Sequence, residues 1–529
     1  MANAGGVLLM PALPANLIAV LEGWGKAMCE AVVTTRDTHI SKYNAGRNGL
    51  SLHRWPLQPA WDKLPKLRVG TDCSGAEAPV WALRELGIRF EHCFGSDSCP
   101  EVRAFLKLNS WPSEMLFDDM CKRGGVPPHH IYVCGFPCTP FSSLHNRTGF
   151  FREAAAAPFR HALLTMQKAA PALVIFENVL GLLRVKRKLT IRLRQVPGYV
   201  FFVFTLDPRL FGQPMRRPRV YIVGVRRDCL AAPDTRSAQS MIRELLAALG
   251  CGMSQPGRVA SDLLLPNTHV LVKAHVLEQQ RRFSKAKAVN FKVKQPNKCK
   301  WTALHNTFSQ KNLVVAKKKF GPGVAMSGAG SHLKFSVPSA DSMMLTRPRQ
   351  RDAWELLRNK HAGYDLVADL SQSIGRQMIS LTGILPTITP NSVVAVSRLS
   401  RSLLGEEKLM VMGFPVHKMY TPPSFPPAAL HKLGGNAMHV RCVGAALLIG
   451  LCLVDVAKLH LHVSGTPSSS CGVSQVVYMA QHAGTASRSQ QGAPSKEGGA
   501  AKRAGHTAGG GPAKKVRRPP YEPLSGLFG

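Results

Sequence analysis

The chain has 529 residues, 45% of them hydrophobic, and its 68 Lys and Arg outweigh 31 Asp and Glu for a formal charge of +37. That length suffices for two or more domains with sizeable cores, and that charge suits a polyanionic partner, either nucleic acid or an acidic membrane surface. Thirteen cysteines are scattered without a CxxC pair, which excludes a zinc-finger framework or a dense disulfide scaffold and fits a reducing compartment.

The N-terminal stretch "MANAGGVLLMPALPANLIAVLEG" lacks a basic leader and is interrupted by prolines, so it does not read as a secretory signal. Residues 1–65 are weakly patterned and read as an extension. Regular structure then begins. "KLRVGTD" reads as a strand, "APVWALRELG" as a helix with Pro79 near its start and Gly87 after its end, and "RFEHCFGSD" as a second strand. "PEVRAFLKLN" is a helix, "HIYVC" a strand, "RHALLTMQKAA" a helix and "PALVIFENV" a strand. "VFFVFTL" and "RVYIVGV" complete the series. Strands alternating with helices of about ten residues predict an α/β domain over 66–228 with a largely parallel sheet. Sites in such sheets lie outside the carboxyl ends of the strands.

Residues 229–375 change character: "RRFSKAKAVNFKVKQPNKCKWTALHNTF" and "VAKKKFGPG" are basic with isolated aromatics. They read as a smaller domain with a cationic face, on which Lys285, Lys287, Lys292, Lys294 and Lys317–Lys319 are candidate phosphate contacts. In 376–458, "RSLLGEEKLMVMGFP" reads as a helix ending near Gly413. A long apolar helix follows "GGNAMHV", and its run Val443–Val454 is too short to span a membrane. It must be buried, most simply against the α/β domain. The remainder, 459–529, reads as a basic, disordered tail. Its "KKVRRP" resembles a nuclear import signal, so a nuclear location is expected.

Four strand ends carry candidate chemistry. "DCSGAEAP" places a tight turn at Gly75 after the first strand, and Asp97 follows the second, as a ribose-binding acid does. There is no GxGxxG or GK[ST] to cradle a pyrophosphate. Cys138 stands between two prolines in "GFPCTPFS", which fix its backbone; a thiolate there could add to an electron-poor carbon. Glu177 ends a very hydrophobic strand, where its carboxylate must be paired, hydrogen-bonded or raised in pKa. Asn178 beside it is a candidate orienting group. Arg217 and Arg219, two apart in an extended segment, share one face with Tyr221 and could point at one site.

Taken in order, these segments resemble the cytosine-5 DNA methyltransferases that use S-adenosylmethionine. "CSGAE" is similar to the first cofactor motif, Asp97 to the ribose acid, and Asp119 in "FDDM" to the acid near the adenine. "GFPCTPFS" resembles the catalytic Pro-Cys loop, "FENV" the Glu-Asn-Val motif and "PMRRPR" the two-arginine motif. "LMVMGFP" and "GGNAMHV" resemble the closing motifs. The resemblance covers roughly 66–228 and 376–455, and the intervening basic segment takes the place of a target-recognition domain.

The resemblance implies a Rossmann-like S-adenosylmethionine-dependent fold with that smaller domain inserted before the closing motifs. It implies catalytic roles for Cys138, Glu177, Asn178, Arg217 and Arg219. The implied cofactor site takes in Cys73, Gly75, Glu77, Asp97, Asp119, Pro137 and Asn436, with no metal. Cys138 would attack C6 of a cytosine flipped out of duplex DNA, Glu177 would contact N3, and the methyl group would pass to C5. The sequence departs from the family at Cys73, where phenylalanine is usual, and at Glu77, where glycine is usual. It departs again at Thr139 and Met215, where glutamine is usual. A zinc deaminase is excluded because "PCTPF" lacks the second cysteine. A thiol hydrolase would need a histidine such as His145 beside Cys138. RNA as substrate and a non-catalytic nucleic-acid-binding role stay open.

Overall fold

A computed structural model describes residues 8–10, 12–46, 64–142, 150–152, 154–255, 257–288, 300–320, 347–376, 378–422, 425–459 and 472–479. His145, Lys292, Lys294 and "KKVRRP" lie outside the described residues, as do the side chains of Lys285, Lys287 and Lys317–Lys319.

The chain opens with β1 (Leu8–Leu9), α1 (Ala15–Leu21) and α2 (Trp24–Ala45). The α/β series follows, with the short strand β4 added to the predicted elements: β2 (Leu67–Asp72), α3 (Ala78–Glu85), β3 (Phe90–Ser96), α4 (Pro100–Asn109), β4 (Met115–Phe117) and β5 (Ile131–Cys134). It continues with α5 (Ala157–Ala169), β6 (Leu173–Val179), α6 (Lys186–Arg194), β7 (Tyr199–Leu206), β8 (Arg219–Arg226) and α7 (Thr235–Met253). The central strands read as continuous apolar runs because helices cover both faces of the sheet.

The middle of the chain supplies α8 (Val270–Ala288), α9 (Lys300–Phe320) and α10 (Pro348–Lys360). The short strands β9 (Val367–Asp369), β10 (Ile379–Ser380), β11 (Val394–Val396) and β12 (Arg401–Ser402) come next. The chain then forms α11 (Gly405–Val411), β13 (Tyr420–Thr421), α12 (Pro427–Asn436), α13 (Val440–Leu453) and β14 (Gln475–Tyr478).

The main sheet has eight strands in the order β14-β7-β8-β6-β5-β2-β3-β4. Its pairings are parallel except that β8 runs antiparallel to both β6 and β7. This reversal sets Arg219, the first residue of β8, opposite Val179 at the carboxyl end of β6. Residues from the start of one strand and the end of another therefore meet at one edge.

Two expectations need correction at the periphery. Within 459–529, read as disordered tail, Gln475–Tyr478 forms the edge strand β14 on β7. Residues 1–65, read as an extension, include α2, which packs against α7 and α13 and buries Trp24, Met28, Val32 and Ile40 in the main core. Buried Arg36 and His39 interrupt its apolar pattern, but Arg36 pairs with Asp37 and His39 lies 3.0 Å from Glu244 on α7. Helix α7 buries Met241, Ile242, Leu245 and Leu249 in that same core, so the residues just after 229 pack with the α/β body. All fourteen residues of α13 are buried, against α3, β6 and β8 among others, as its uninterrupted apolar run requires.

The inserted segment has its own small core, with Trp354, Leu356, Leu357, Leu366, Ala368 and Ile374 packed around the four-stranded sheet β10-β9-β11-β12. Strand β11 joins it to the body by alternation: Ala395 faces the small core while Val394 and Val396 face the main one. A buried ion pair fixes the return into the closing segments. Arg401 Nη1 and Nη2 donate to Glu407 Oε2 and Oε1 at 2.7 and 2.6 Å, and both side chains are fully buried. Arg401 Nη2 also donates to the Leu265 carbonyl, and Glu407 accepts from the Leu265 and Leu404 amides. Arg401→Met is expected to cost about 3–5 kcal/mol in chemical denaturation, because it strands a buried carboxylate. The double variant Arg401→Met with Glu407→Leu should cost clearly less.

Candidate active site

The carboxyl end of β2 breaks into an unusual turn. Cys73, Gly75 and Glu77 all adopt left-handed φ values, 51°, 54° and 57°, a conformation that only glycine takes without penalty. The Gly75 amide donates to Asp97 Oδ2 at 3.0 Å and the Cys99 amide to Oδ1 at 2.9 Å. Asp97 is thereby pinned at the end of β3, facing the turn. Burial pushes its carboxyl up, while these two amides pull it down. Asp119 follows the neighbouring strand β4; its Oδ1 accepts from the Cys121 amide at 2.8 Å, and Lys122 lies 3.6 Å away.

Asp72, the last residue of β2, is fully buried and accepts from Arg123, Tyr132 and Ser96. It anchors the turn from below. Arg123, stacked between Phe94 and Phe117, has no sequence signal beyond a basic run and went unpredicted. The Cys73 thiol rests against Met120 Sδ at 3.7 Å. Glu77 turns inward with no exposure, so its carboxylate lies within the protein rather than on the open side of the turn. The donor set suits a nucleoside better than a phosphate: two strand-end carboxylates with spare acceptor capacity, beside a turn whose Ser74, Gly75 and Glu77 amides are already bonded within the protein. S-adenosylmethionine fits this set.

Cys138 sits on the loop after β5, where its thiol is free and exposed. The loop is held at both ends. Asn178 Nδ2 donates to the Phe136 carbonyl at 2.9 Å, and the Asn178 carboxamide oxygen accepts from the Val179 amide. The Cys138 carbonyl accepts from the amides of Phe141 and Ser142, each at 2.9 Å. Phe136 packs on Phe159, Phe141 and Phe176. Pro137 and Cys138 are thus carried on a bend whose flanks are buried aromatics. Surrounding protein still desolvates the thiol and pushes it up; Arg219 opposes this and Glu177 adds to it.

Because side chains alternate along β6, Asn178 holds the loop while Glu177 faces the opposite side. Arg219 Nε lies 3.2 Å from Glu177 Oε1, and both side chains keep slight exposure. Burial raises the Glu177 carboxyl; Arg219 and then Arg217 counter it.

Arg217 departs from the expectation that both guanidinium groups point at one site. Its Nη1 donates to the Ile388 carbonyl at 2.5 Å, and its Nη2 to those of Ala437 at 2.8 Å and Gly435 at 3.3 Å. It is a buried stitch between three backbone segments, and burial lowers it to about 9, with Arg219 adding to the shift. Gly435 permits the approach: an added Cβ would fall 2.3 Å from the backbone of Thr389 and Pro390. Asn436, between two of these carbonyls, ends α12 with its side chain exposed. At Gly135 a Cβ would meet Met438 Cε at 2.6 Å. The "GGNAMHV" segment therefore lies against the base of the Cys138 loop. Asn436 is tied to the Arg217 and Cys138-loop side by its backbone neighbours, not to Asp97 or Asp119.

The profile of the C-5 cytosine-specific DNA methylase family matches residues 73–446, a range that runs from the β2 turn into α13. The chain belongs to this family. Similar relatives include a DNA (cytosine-5-)-methyltransferase, DMT5, of Cryptococcus neoformans, 26% identical over 424 residues that cover 73% of this chain and 17% of that protein. The Type II methyltransferase M.NlaIV of Neisseria lactamica is 21% identical over 406 residues, 69% of this chain and 93% of that protein. The chain thus spans under a fifth of the length of the Cryptococcus relative and nearly all of the Neisseria one. Among solved structures, S. pombe Dnmt2 methyltransferase aligns with 73% of this chain and 98% of its own, at 14% identity and a TM-score of 0.40. For this family member, the eight-stranded sheet with its single reversed strand is the Rossmann-like arrangement expected of such enzymes.

Proposed function

We propose that this chain transfers the methyl group of S-adenosylmethionine to C5 of cytosine in DNA, through a covalent adduct between Cys138 and C6 of a flipped base. The observation that carries this reading is an exposed thiol, on the loop after β5 tethered by Asn178, close enough to the Glu177–Arg219 pair for both charges to act on it.

Glu177, raised by burial, holds a proton to higher pH than a free carboxyl and can share it with cytosine N3. That withdraws electrons from C6 and makes it a better target for Cys138. Arg219 orients Glu177 and faces the pyrimidine carbonyl, while Arg217 keeps the 388 and 435–437 segments together behind them. S-adenosylmethionine, when bound, supplies the electrophilic methyl group that C5 takes. Loss of the C5 proton then expels Cys138. Asp97 and Asp119 would hold the ribose and the adenine side, with Gly75 allowing close approach. A base stacked in a duplex cannot reach this enclosed edge without extrusion, and the basic inserted segment would bind the backbone that flanks it. "KKVRRP" would direct the protein to a nucleus.

The direct test is incubation of purified protein with labelled S-adenosylmethionine and either duplex DNA or transfer RNA, followed by base analysis. Labelled 5-methylcytosine in DNA supports the reading. Label confined to RNA would overturn the choice of substrate, and none in either would point to a binding role. For the cofactor, Asp97→Ala is expected to weaken binding by roughly 1–3 kcal/mol in calorimetry, the scale of a lost hydrogen bond to a charged group. Unchanged affinity in a folded variant would remove Asp97 from the site.

A further inference from the structure

Glu77 has no part in the chemistry above, yet its setting is costly. It occupies a left-handed conformation at the N-cap of α3, and its carboxylate has no exposure. Oε1 accepts from Thr71 Oγ1 at 2.7 Å and lies 3.5 Å from His92 Nε2, while Oε2 has no partner. A buried carboxylate satisfied on one side only is disfavoured as an anion. Burial pushes it up to about 8; Thr71 and Ser74 oppose this, while Asp97 and Asp72 add to it.

The groups around it cannot supply the missing charge. His92, on β3, is driven down to about 4 by burial and is neutral, with its Nδ1 on the Ser110 carbonyl. Arg123 is committed to Asp72. Arg84, on α3, feels the Glu77 charge only at a distance and donates to the Asn109 carbonyl. Asp97, beyond the turn, is itself acidic.

We infer that Glu77 is a charge-sensing residue of the cofactor turn, protonated in the free protein and ionised when a sulfonium cation lies against that turn. The inference rests on the S-adenosylmethionine reading given above. Its proton balance is simple: binding the cation sends the Glu77 proton to solvent. When methyl transfer removes the sulfonium charge, that stabilisation is weakened and a proton returns. Glu77 would thereby favour the methyl donor over its demethylated product and ease product release.

The test is calorimetry at pH 7 in buffers of different ionisation enthalpy, which counts the protons released on binding. S-adenosylmethionine should release about one proton per site from the wild type, and 5′-methylthioadenosine, which is neutral, none. Glu77→Gln should bind 5′-methylthioadenosine as the wild type does, release no proton with S-adenosylmethionine, and lose part of its preference over S-adenosylhomocysteine. Glu77→Gly, which suits the left-handed backbone, is the second variant and should behave the same way. Equal proton release by the wild type and Glu77→Gln would overturn the inference. Failure of the wild type to bind either ligand would overturn the cofactor reading beneath it.

Discussion

Cys138→Ser should abolish the covalent trap formed with a duplex oligonucleotide carrying 5-fluorocytosine. Fluorine at C5 cannot leave as a proton, so the wild type should stall as an adduct that survives denaturation, and only in the presence of S-adenosylmethionine. The serine hydroxyl is a much poorer nucleophile than a thiolate. Turnover should fall by on the order of 10⁴-fold or more, the scale found when one member of a cooperating catalytic set is removed. The loop should survive the change, because it is held by Asn178 and by the Cys138 carbonyl rather than by the thiol. Unaltered binding of the oligonucleotide is therefore the control. Normal methylation by this variant would sink the assignment of the nucleophile.

Glu177→Gln should slow turnover by about 10²–10⁴-fold, the usual range for loss of a general acid, and should also change the shape of the pH profile. In the wild type, burial raises both the Glu177 carboxyl and the Cys138 thiol. The reaction needs the first protonated and the second ionised. As pH rises, the thiolate fraction grows; once the pH passes the raised Glu177 value, the fall in its acid form cancels that growth. The rate should climb, flatten, and then drop when the thiol is fully ionised. In Glu177→Gln the amide does not titrate, so a slower rate should go on climbing until the thiol ionises. A variant profile that flattens where the wild type does would show that Glu177 does not set that limb.

The parallel core was legible because its strands are continuous apolar runs and its helices carry proline starts and glycine ends. Strand β4 escaped because three residues carry no period, and β14 because four residues within a polar tail give no hint of the edge they will cover. Helix α2 was obscured by buried Arg36 and His39; the partner of His39, Glu244, is about 200 residues away in sequence and is met only once the chain is folded. The residues of the site were legible as types at strand ends. Their directions were not. Two-residue spacing put Arg217 and Arg219 on one face, but could not reveal that Arg217 would be claimed by three carbonyls from two segments, 171 and 218 to 220 positions away. The reversal of β8, which gives Glu177 its partner, likewise depends on sheet order rather than on any local pattern.

Strand β14 has a consequence for how the molecule is made. Its partner β7 is synthesised early, yet Val200 meets Gln475 only after 275 further residues have emerged. Throughout that interval the β7 flank of the nascent sheet is an open template of unpaired amides and carbonyls, the kind of surface on which chains associate wrongly. An expression boundary drawn just after α13 would make that transient state permanent. A boundary beyond Met479 lets the chain close its own margin.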